Sequence, residues 1–210
     1  MAMTARQKNI NEFLYRLYQD VSTAAISIEC RKKMGVYDQN SFIYGDSYLP
    51  SLYEILSEVR PQAGEVFYDL GSGGGRVVLF AALSFPFAEV VGVELLDDLV
   101  DLAQKKLKLL SERLPALTHF DESKLGEIRF IHQDVAKIEF KDADVIYIAS
   151  TCFEDNLMKD LAKLIEKQAK SGARVITCTK SLPSERFKIK KSQIYQMEWG
   201  EVTVFFQEKV

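Results

Sequence analysis

A short apolar stretch that runs into a glycine-rich turn constrains this sequence more than any other feature. Residues 66–69, Val-Phe-Tyr-Asp, have the composition of a buried strand, and Gly71, Gly73 and Gly75 follow at alternate positions. Residues 77–83 are again apolar and predict a buried helix. A strand, a glycine turn and a helix start together form a site for nucleotide-like ligands, because glycine lets the backbone approach a ligand without a clash from Cβ.

The spacing in this turn excludes two common nucleotide sites. In the dinucleotide pattern G-x-G-x-x-G, counted from Gly71, the third glycine would fall on Arg76. A phosphate-binding P-loop needs a lysine followed by serine or threonine after the turn, and no such pair follows here. Asp69 would repel a pyrophosphate. It suits a ligand with a positive or hydrogen-donating end, such as the amino group of a methionine moiety.

A second acid follows one strand–helix unit later. Residues 90–93 predict another buried strand, which ends at Glu94. A carboxylate there can accept two hydrogen bonds from a ribose diol. The D-x-G-x-G-x-G motif that starts at Asp69, together with Glu94, resembles the first two signature motifs of class I S-adenosylmethionine (SAM) methyltransferases. The alternative is that Asp69 caps the turn and that Glu94 is a solvated acid at a strand end.

Composition and charge narrow the class of protein further. The 210 residues are 47% hydrophobic, which suits a globular chain with a full core. A net charge of −3 argues against nucleic acid as the direct substrate. The three cysteines are far apart and form no C-x-x-C pair, so we expect reduced thiols and no metal site. No signal segment or membrane span is predicted, and we expect a cytoplasmic location.

The order of predicted elements indicates an α/β fold. Residues 10–29 have the apolar spacing of one amphipathic helix, and we expect residues 1–40 to form a helical extension of a SAM-binding domain over residues 41–210. Five strands then alternate with helices, and residues 192–198 and 202–207 predict an antiparallel hairpin. The result is a seven-stranded, mostly parallel, Rossmann-like sheet with helices on both faces, which is also the plan of class I methyltransferases.

In such a sheet the ligand lies across the carboxyl ends of the strands. We expect Asp134, at the end of the third strand, to accept from the exocyclic amine of adenine, with the Val135 amide on the ring edge. The alternative for Asp134 is a turn cap. His132 precedes it by two residues, and we expect a core or surface histidine there rather than a base. The fourth strand ends near residues 149–153, and we expect this end to lie beside the methyl group that is transferred.

A narrower resemblance rests on a segment before the first strand. Tyr44-Gly45-Asp46-Ser47 precedes Asp69 by about one helix length. The order Y-G-[E/D]-[T/S], helix, D-L-G-S-G-x-G, then V-G-V-E is similar to the catalytic domain of the non-SET histone-lysine methyltransferases, the disruptor-of-telomeric-silencing type. Trp199-Gly200, in the final hairpin, adds to the similarity, which covers about residues 40–209. The resemblance implies that the segment closes over SAM, and the expected cofactor-binding residues are Tyr44, Gly45, Asp46, Ser47, Asp69, Gly71, Gly73, Gly75, Glu94, Asp134 and Val135.

Two positions depart from the family pattern. An asparagine pair usually ends the fourth strand, where this chain has Ala149 and Ser150. A tyrosine in the final hairpin is replaced by Phe205. We consider Ser150 and Thr151 as candidate catalytic residues whose hydroxyls replace the missing amide. Phe153 and Phe205 are the expected aromatic walls of the substrate channel.

Three functional hypotheses follow. The first is a SAM-dependent methyltransferase that modifies a protein lysine, with a nuclear location if the substrate is a histone. The second, suggested by the acidic and compact chain, is a small-molecule methyltransferase. The third, suggested by Ala149 and Phe205, is a SAM-binding module with weakened catalysis. Methylation of nucleic-acid bases is disfavoured, because residues 149–153 do not resemble the Asn/Asp-Pro-Pro-aromatic segment of such enzymes.

Overall fold

A seven-stranded sheet forms the centre of the protein, with helices on both of its faces. The structure is a computed structural model that describes residues 4–39, 45, 47–117 and 120–210. The helices are α1 (Ala5–Tyr18), α2 (Thr23–Lys33), α3 (Leu49–Glu58), α4 (Arg76–Ser84), α5 (Asp97–Arg113) and α6 (Asp155–Gln168). The strands are β1 (Val66–Leu70), β2 (Glu89–Glu94), β3 (Glu127–His132), β4 (Val145–Ile148), β5 (Arg174–Cys178), β6 (Phe187–Met197) and β7 (Gly200–Lys209).

The strand order is β3-β2-β1-β4-β5-β7-β6. Strands β1 to β5 pair in parallel, whereas β7 runs antiparallel to both β5 and β6. The register places Asp69 of β1 beside Gly92 of β2 and Tyr147 of β4. The predicted mostly parallel sheet with a closing antiparallel hairpin is therefore confirmed, and the carboxyl ends of β1, β2 and β4 meet at one edge.

Apolar side chains cover both faces of the central strands. In β1, Phe67 belongs to the core under α1, α3 and α4, while Tyr68 and Leu70 belong to the core under α6. Strands buried on both faces have continuous apolar sequences, as β1, β2 and β4 do. Residues 77–83 of α4 are all buried, because the helix lies between the sheet and the N-terminal helices. No helix in the described part of the chain is long and apolar enough to cross a membrane.

The prediction of one helix over residues 10–29 is wrong. The chain forms two helices there, and α1 ends at Tyr18 while α2 begins at Thr23. The break has a local cause, since the Ser22 side chain accepts a hydrogen bond from the Ala25 N–H and so caps α2. α1 packs against α4 and α5, and α2 packs against α5.

The closing hairpin is longer than the sequence pattern indicates. Its strands cover Phe187–Met197 and Gly200–Lys209, whereas the predicted segments begin and end several residues inside these limits. β6 is an edge strand that carries Lys188, Lys190 and Lys191, and the pairing register shifts between Ile189 and Lys191. Lysines and bulges are common on sheet edges, and here they hide the apolar alternation.

Candidate functional site

Hydrogen bonds to the neighbouring strand shape the glycine turn after β1. The amides of Gly71 and Ser72 both donate to the Val93 carbonyl of β2, at 2.8 and 3.0 Å. Gly75 has a φ of +84° and precedes the first residue of α4. A Cβ at Gly75 would lie 2.6 Å from the Phe130 ring. Both the positive φ and the close packing therefore require glycine at this position.

A cavity of about 550 Å³ opens at the carboxyl ends of β1, β2 and β4. This volume lies within the range of small-molecule sites. Most of the predicted site residues with described positions line it: Gly45, Ser47, Asp69, Gly71, Glu94, Asp134, Val135, Thr151 and Phe153. Tyr44 and Asp46 lie outside the described residues, so the structure does not place them.

Asp69 is a buried acid in the cavity wall. It is 1% exposed, and its Oδ2 has no hydrogen-bond partner among the described residues. Burial raises the pKa of the Asp69 carboxyl well above its usual range, and the negative charge of Glu94 adds to the rise. Because buried acceptors are nearly always paired, an orphaned carboxylate oxygen at a cavity indicates a ligand with a hydrogen-donating group. A turn-capping role for Asp69 has no support in these contacts.

Glu94 holds the glycine turn and the start of α5 together. Its Oε2 accepts from the Gly73 N–H at 2.8 Å, and its Oε1 accepts from the Leu95 and Leu96 amides at 2.8 and 2.9 Å. Burial raises the pKa of Glu94, and these three hydrogen bonds oppose the rise. The acid is 9% exposed, so it is not the solvated strand-end acid of the alternative hypothesis. Oε2 keeps a lone pair for a further donor in the cavity.

Asp134 caps a turn at the cavity rim. Its Oδ1 accepts from the Ala136 N–H at 2.9 Å, and Lys137 Nζ lies 3.5 Å from its Oδ2. The turn-cap alternative is thus present in the structure, although Asp134 also lines the cavity. His132 is exposed and its Nε2 donates to the Leu95 carbonyl at 2.9 Å, which agrees with the expectation of a surface histidine.

Four predicted site residues with described positions do not line the cavity: Gly73, Gly75, Ser150 and Phe205. Ser150 is fully buried away from the cavity wall, and its Oγ donates to the Cys178 carbonyl at 2.7 Å. The hydroxyl therefore joins the turn after β4 to the end of β5 and is not available to a substrate. Phe205 does not line the cavity either. Its neighbours Val204 and Phe206 point into the core under α3 and α4, so Phe205 lies on the opposite face of the sheet.

Two aromatic residues that we did not predict line the cavity. Tyr147 of β4 is fully buried, and its hydroxyl lies 3.5 Å from both Ser47 Oγ and Cys178 Sγ. Trp199, in the turn between β6 and β7, packs on Gly45, where a Cβ would lie 2.8 Å from the indole ring. The hairpin turn thus contacts the segment that precedes α3. An aromatic residue in the hairpin turn, next to a glycine, was the available signal for Trp199.

The N-terminal helix supports the glycine turn from outside the cavity. The Tyr18 hydroxyl of α1 donates to the Gly74 carbonyl at 2.7 Å. The Arg76 guanidinium lies 5.0 Å from the centre of the Tyr18 ring, and Lys106 Nζ lies 5.3 Å from it. Arg76 also pairs with Glu198 at 3.4 Å. α1, the glycine turn and the hairpin turn are therefore connected by polar contacts.

Comparison with solved structures defines the class of fold. An RNA methyltransferase from Salinibacter ruber in complex with S-adenosyl-L-homocysteine matches with a TM-score of 0.59 and 21% identity, over 76% of this chain and 91% of that one. TrmN from Thermus thermophilus matches with a TM-score of 0.57 and 18% identity, over 76% and 48%. The predicted fold is confirmed, and the chain has a class I, Rossmann-like methyltransferase fold.

Comparison of sequences identifies the family. The family model of the histone methylation protein DOT1 matches residues 21–201. The chain belongs to the DOT1 family, as the resemblance implied. The H3 lysine-79 specific histone-lysine N-methyltransferase of Gibberella zeae is 30% identical over 172 residues, and that of Candida glabrata is 26% identical over 178 residues. The alignments cover 78% and 83% of this chain but only 33% and 27% of those proteins, so the chain spans about a third of their length.

Proposed function

We propose that this chain is a SAM-dependent methyltransferase whose acceptor is a lysine amine of a protein. The observation that carries the proposal is Oδ2 of Asp69, which lies in the cavity wall without a hydrogen-bond partner in the described part of the chain and close enough to Glu94 for the two charges to interact. A buried acceptor of this kind matches the charged amino group of SAM. The apolar cavity walls, which include Leu96 and Leu99, match an adenine ring. The residues present therefore fit this cofactor.

Each end of the cofactor has a matching group in the cavity. Asp69 would accept from the amino group, and the remaining lone pair of Glu94 Oε2 would accept from a ribose hydroxyl. The glycine turn would carry the methionine portion, where a side chain at Gly71 would meet Phe153. Asp134 and Val135 are proposed at the adenine edge.

When bound, SAM supplies a methyl group already activated by a positively charged sulfur. The task of the chain is to orient the acceptor and to exclude water. Phe153, Trp199 and Tyr147 provide the apolar wall for this purpose. An amine reacts only when it is unprotonated, and an environment of low polarity lowers the pKa of an amine. We therefore assign the preparation of the acceptor to the aromatic wall.

The choice of a lysine acceptor is supported by membership of the DOT1 family. Relatives named for lysine 79 of histone H3 favour a histone lysine and, with it, a nuclear location over the cytoplasmic one. The division into an extension of residues 1–40 and a SAM-binding domain of residues 41–210 is part of the same proposal. A second candidate, a SAM-binding protein with weakened catalysis, is favoured by Ala149, which lines the cavity without a polar side chain.

The first test is a calorimetric titration of the purified protein with S-adenosylhomocysteine, the product form of the cofactor. The Asp69→Asn variant removes a charge-assisted hydrogen bond worth roughly 1.5–3 kcal/mol, so we expect the affinity to fall about ten- to a hundredfold. The matched control is Asp160→Asn, which alters an exposed acid on α6. Equal affinity in wild type and Asp69→Asn would refute the site.

The acceptor is tested separately with SAM that carries a labelled methyl group. Histone octamers, a whole-cell protein extract and its small-molecule fraction are incubated in parallel with the wild-type chain. Label in histone lysine supports the proposal, and label in small metabolites alone contradicts it. Cofactor binding without label in any fraction favours the second candidate.

A further inference from the structure

Hydrogen bonds join the loops after β4 and β5 beside the cavity. Lys180 Nζ donates to the Phe153 carbonyl at 2.8 Å, and the hydroxyls of Thr151 and Thr179 lie 3.0 Å apart. Thr151 and Phe153 line the cavity, whereas Lys180 and Thr179 belong to the loop behind them. The second loop therefore fixes the part of the wall at which the acceptor would arrive.

Thr179 has an unusual backbone conformation. Its φ is +68°, and among the described residues only Arg60 is another non-glycine with positive φ. β-branched residues rarely adopt this conformation. The Lys180 amide donates to the Cys178 carbonyl at 2.8 Å and closes a tight turn around Thr179, while the Thr179 amide donates to the Thr203 carbonyl of β7 at 2.7 Å. Conformations of this kind persist where the surroundings impose them, and they concentrate at functional sites.

The two hydroxyls have different surroundings. Thr179 is exposed, so its hydroxyl can accept from Thr151 and donate its own hydrogen to water. Thr151 is half-buried in the cavity wall. A hydroxyl has one hydrogen and two lone pairs. If the hydrogen of Thr151 is directed to Thr179, both lone pairs of Thr151 Oγ1 remain available to donors in the cavity. Ala149, on the same wall, has no polar side-chain atom.

We infer that Thr151 accepts a hydrogen bond from the acceptor amine and that Thr179 is a positioning residue for Thr151. Thr179 keeps the Thr151 hydrogen turned away from the cavity. Without Thr179 that hydrogen is free to point into the cavity. There it faces the N–H groups of an ammonium and, once the amine has lost its proton, competes for the nitrogen lone pair that must stay free for reaction. The inference rests on the proposed function. It assigns the orientation of the acceptor to Thr151, two residues after Ala149, at which the family pattern has an asparagine.

The test uses n-butylammonium chloride as a probe with the same terminal group as a lysine side chain. It is titrated into protein saturated with S-adenosylhomocysteine, and the methyl resonance of 13C-labelled Ala149, which lines the cavity and is unchanged in every variant, reports binding. Potassium chloride at equal ionic strength is the blank. We expect Thr151→Val and Thr179→Val each to weaken probe binding about three- to tenfold, the equivalent of one hydrogen bond. Affinity for S-adenosylhomocysteine should stay at the wild-type value in both.

Two further variants separate a positioning role from a merely structural one. Thr179→Ser retains the hydroxyl and should bind the probe as wild type does. The double variant Thr151→Val/Thr179→Val should bind no more weakly than Thr151→Val alone, because residues that act through one another are not additive. Additive losses would overturn the positioning role.

The remaining outcomes separate the inference from the function on which it rests. Wild-type protein that binds S-adenosylhomocysteine but not the probe overturns the inference alone, as does a Thr151→Val variant that binds the probe normally. Wild-type protein that fails to bind S-adenosylhomocysteine refutes the proposed function and the inference together.

Discussion

Replacing Asp69 by asparagine should stabilise the empty protein and weaken cofactor binding at the same time. Asp69 is 1% exposed, its Oδ2 has no partner among the described residues, and burial is the main cause of its raised pKa. Asparagine has nearly the same shape but no charge. In the empty protein the substitution therefore removes an unfavourable buried charge, whereas in the complex it removes a favourable ion pair with the ligand.

The size of this stabilisation depends on pH. An acid whose pKa is raised by folding does not penalise the folded state below the pKa of the unfolded chain, near 3.8 for aspartate. The penalty grows as the pH rises from that value through the folded pKa. An unpaired buried group costs more when it is charged than when it is neutral, and asparagine keeps a buried amide. The substitution therefore recovers the part of the cost that is due to the charge, on the order of 1–3 kcal/mol, and 1 kcal/mol shifts the Tm of a chain of this size by roughly 2–4 °C. We expect Asp69→Asn to raise the Tm by about 2–12 °C at pH 8 and hardly at all at pH 4.

The assay is thermal unfolding of the wild-type and Asp69→Asn proteins from pH 4 to 8, with and without S-adenosylhomocysteine. The stabilisation of the empty variant should reverse in saturating ligand, because the wild type then gains more from binding. Asp160→Asn on α6 again serves as the control and should show no such pattern. A lower Tm for empty Asp69→Asn at pH 8 would mean that the fold itself uses the Asp69 charge, and the reasoning would be refuted.

Two other substitutions test the supports of the glycine turn. Glu94→Ala leaves three backbone amides without their acceptor, and we expect urea denaturation to show a loss of about 2–4 kcal/mol in the free energy of unfolding. A loss under 1 kcal/mol would contradict the conclusion that Glu94 holds the glycine turn to the start of α5. Tyr18→Phe removes only the hydroxyl bonded to the Gly74 carbonyl, so we expect about 0.5–1.5 kcal/mol of lost stability and a several-fold weaker affinity for S-adenosylhomocysteine by calorimetry. Tyr15→Phe, on the same helix but half exposed, is the control for affinity, and an equal loss of affinity in both variants would count against a specific role for Tyr18.

The sequence was sufficient for those features that local geometry determines. The glycines after Asp69 predict a tight turn, and the apolar strands before and after that turn predict a parallel sheet that is buried on both faces. The edge of the sheet at which the cavity opens could therefore be located from the motif. The acids at the ends of β1 and β2 then had to meet at that edge, because parallel strands place their carboxyl ends together.

Other features depend on contacts between distant parts of the chain. Strand alternation cannot be extended past the end of β4, where a short 3-10 turn over Ser150–Cys152 rotates the side chains and buries Ser150. A continuous apolar strand also does not show that Tyr147 reaches the cavity. The position of Trp199 depends on the full length of the β6–β7 pairing, which brings a distant turn back against Gly45.

The position of β7 in the sheet affects the order in which the chain folds during its synthesis on the ribosome. β7 is the last described strand to be synthesised, yet it lies between β5 and β6. Until β7 emerges, β5 has an unpaired edge and the Thr179 amide cannot donate to the Thr203 carbonyl. The turn that carries Trp199 also cannot close, because it joins β6 to β7. We therefore expect the part of the proposed cofactor pocket that Thr179 and Trp199 support to form only after β7 has paired with β5. Such intermediates expose an unpaired strand edge, and they are the stage at which chaperones would be needed most.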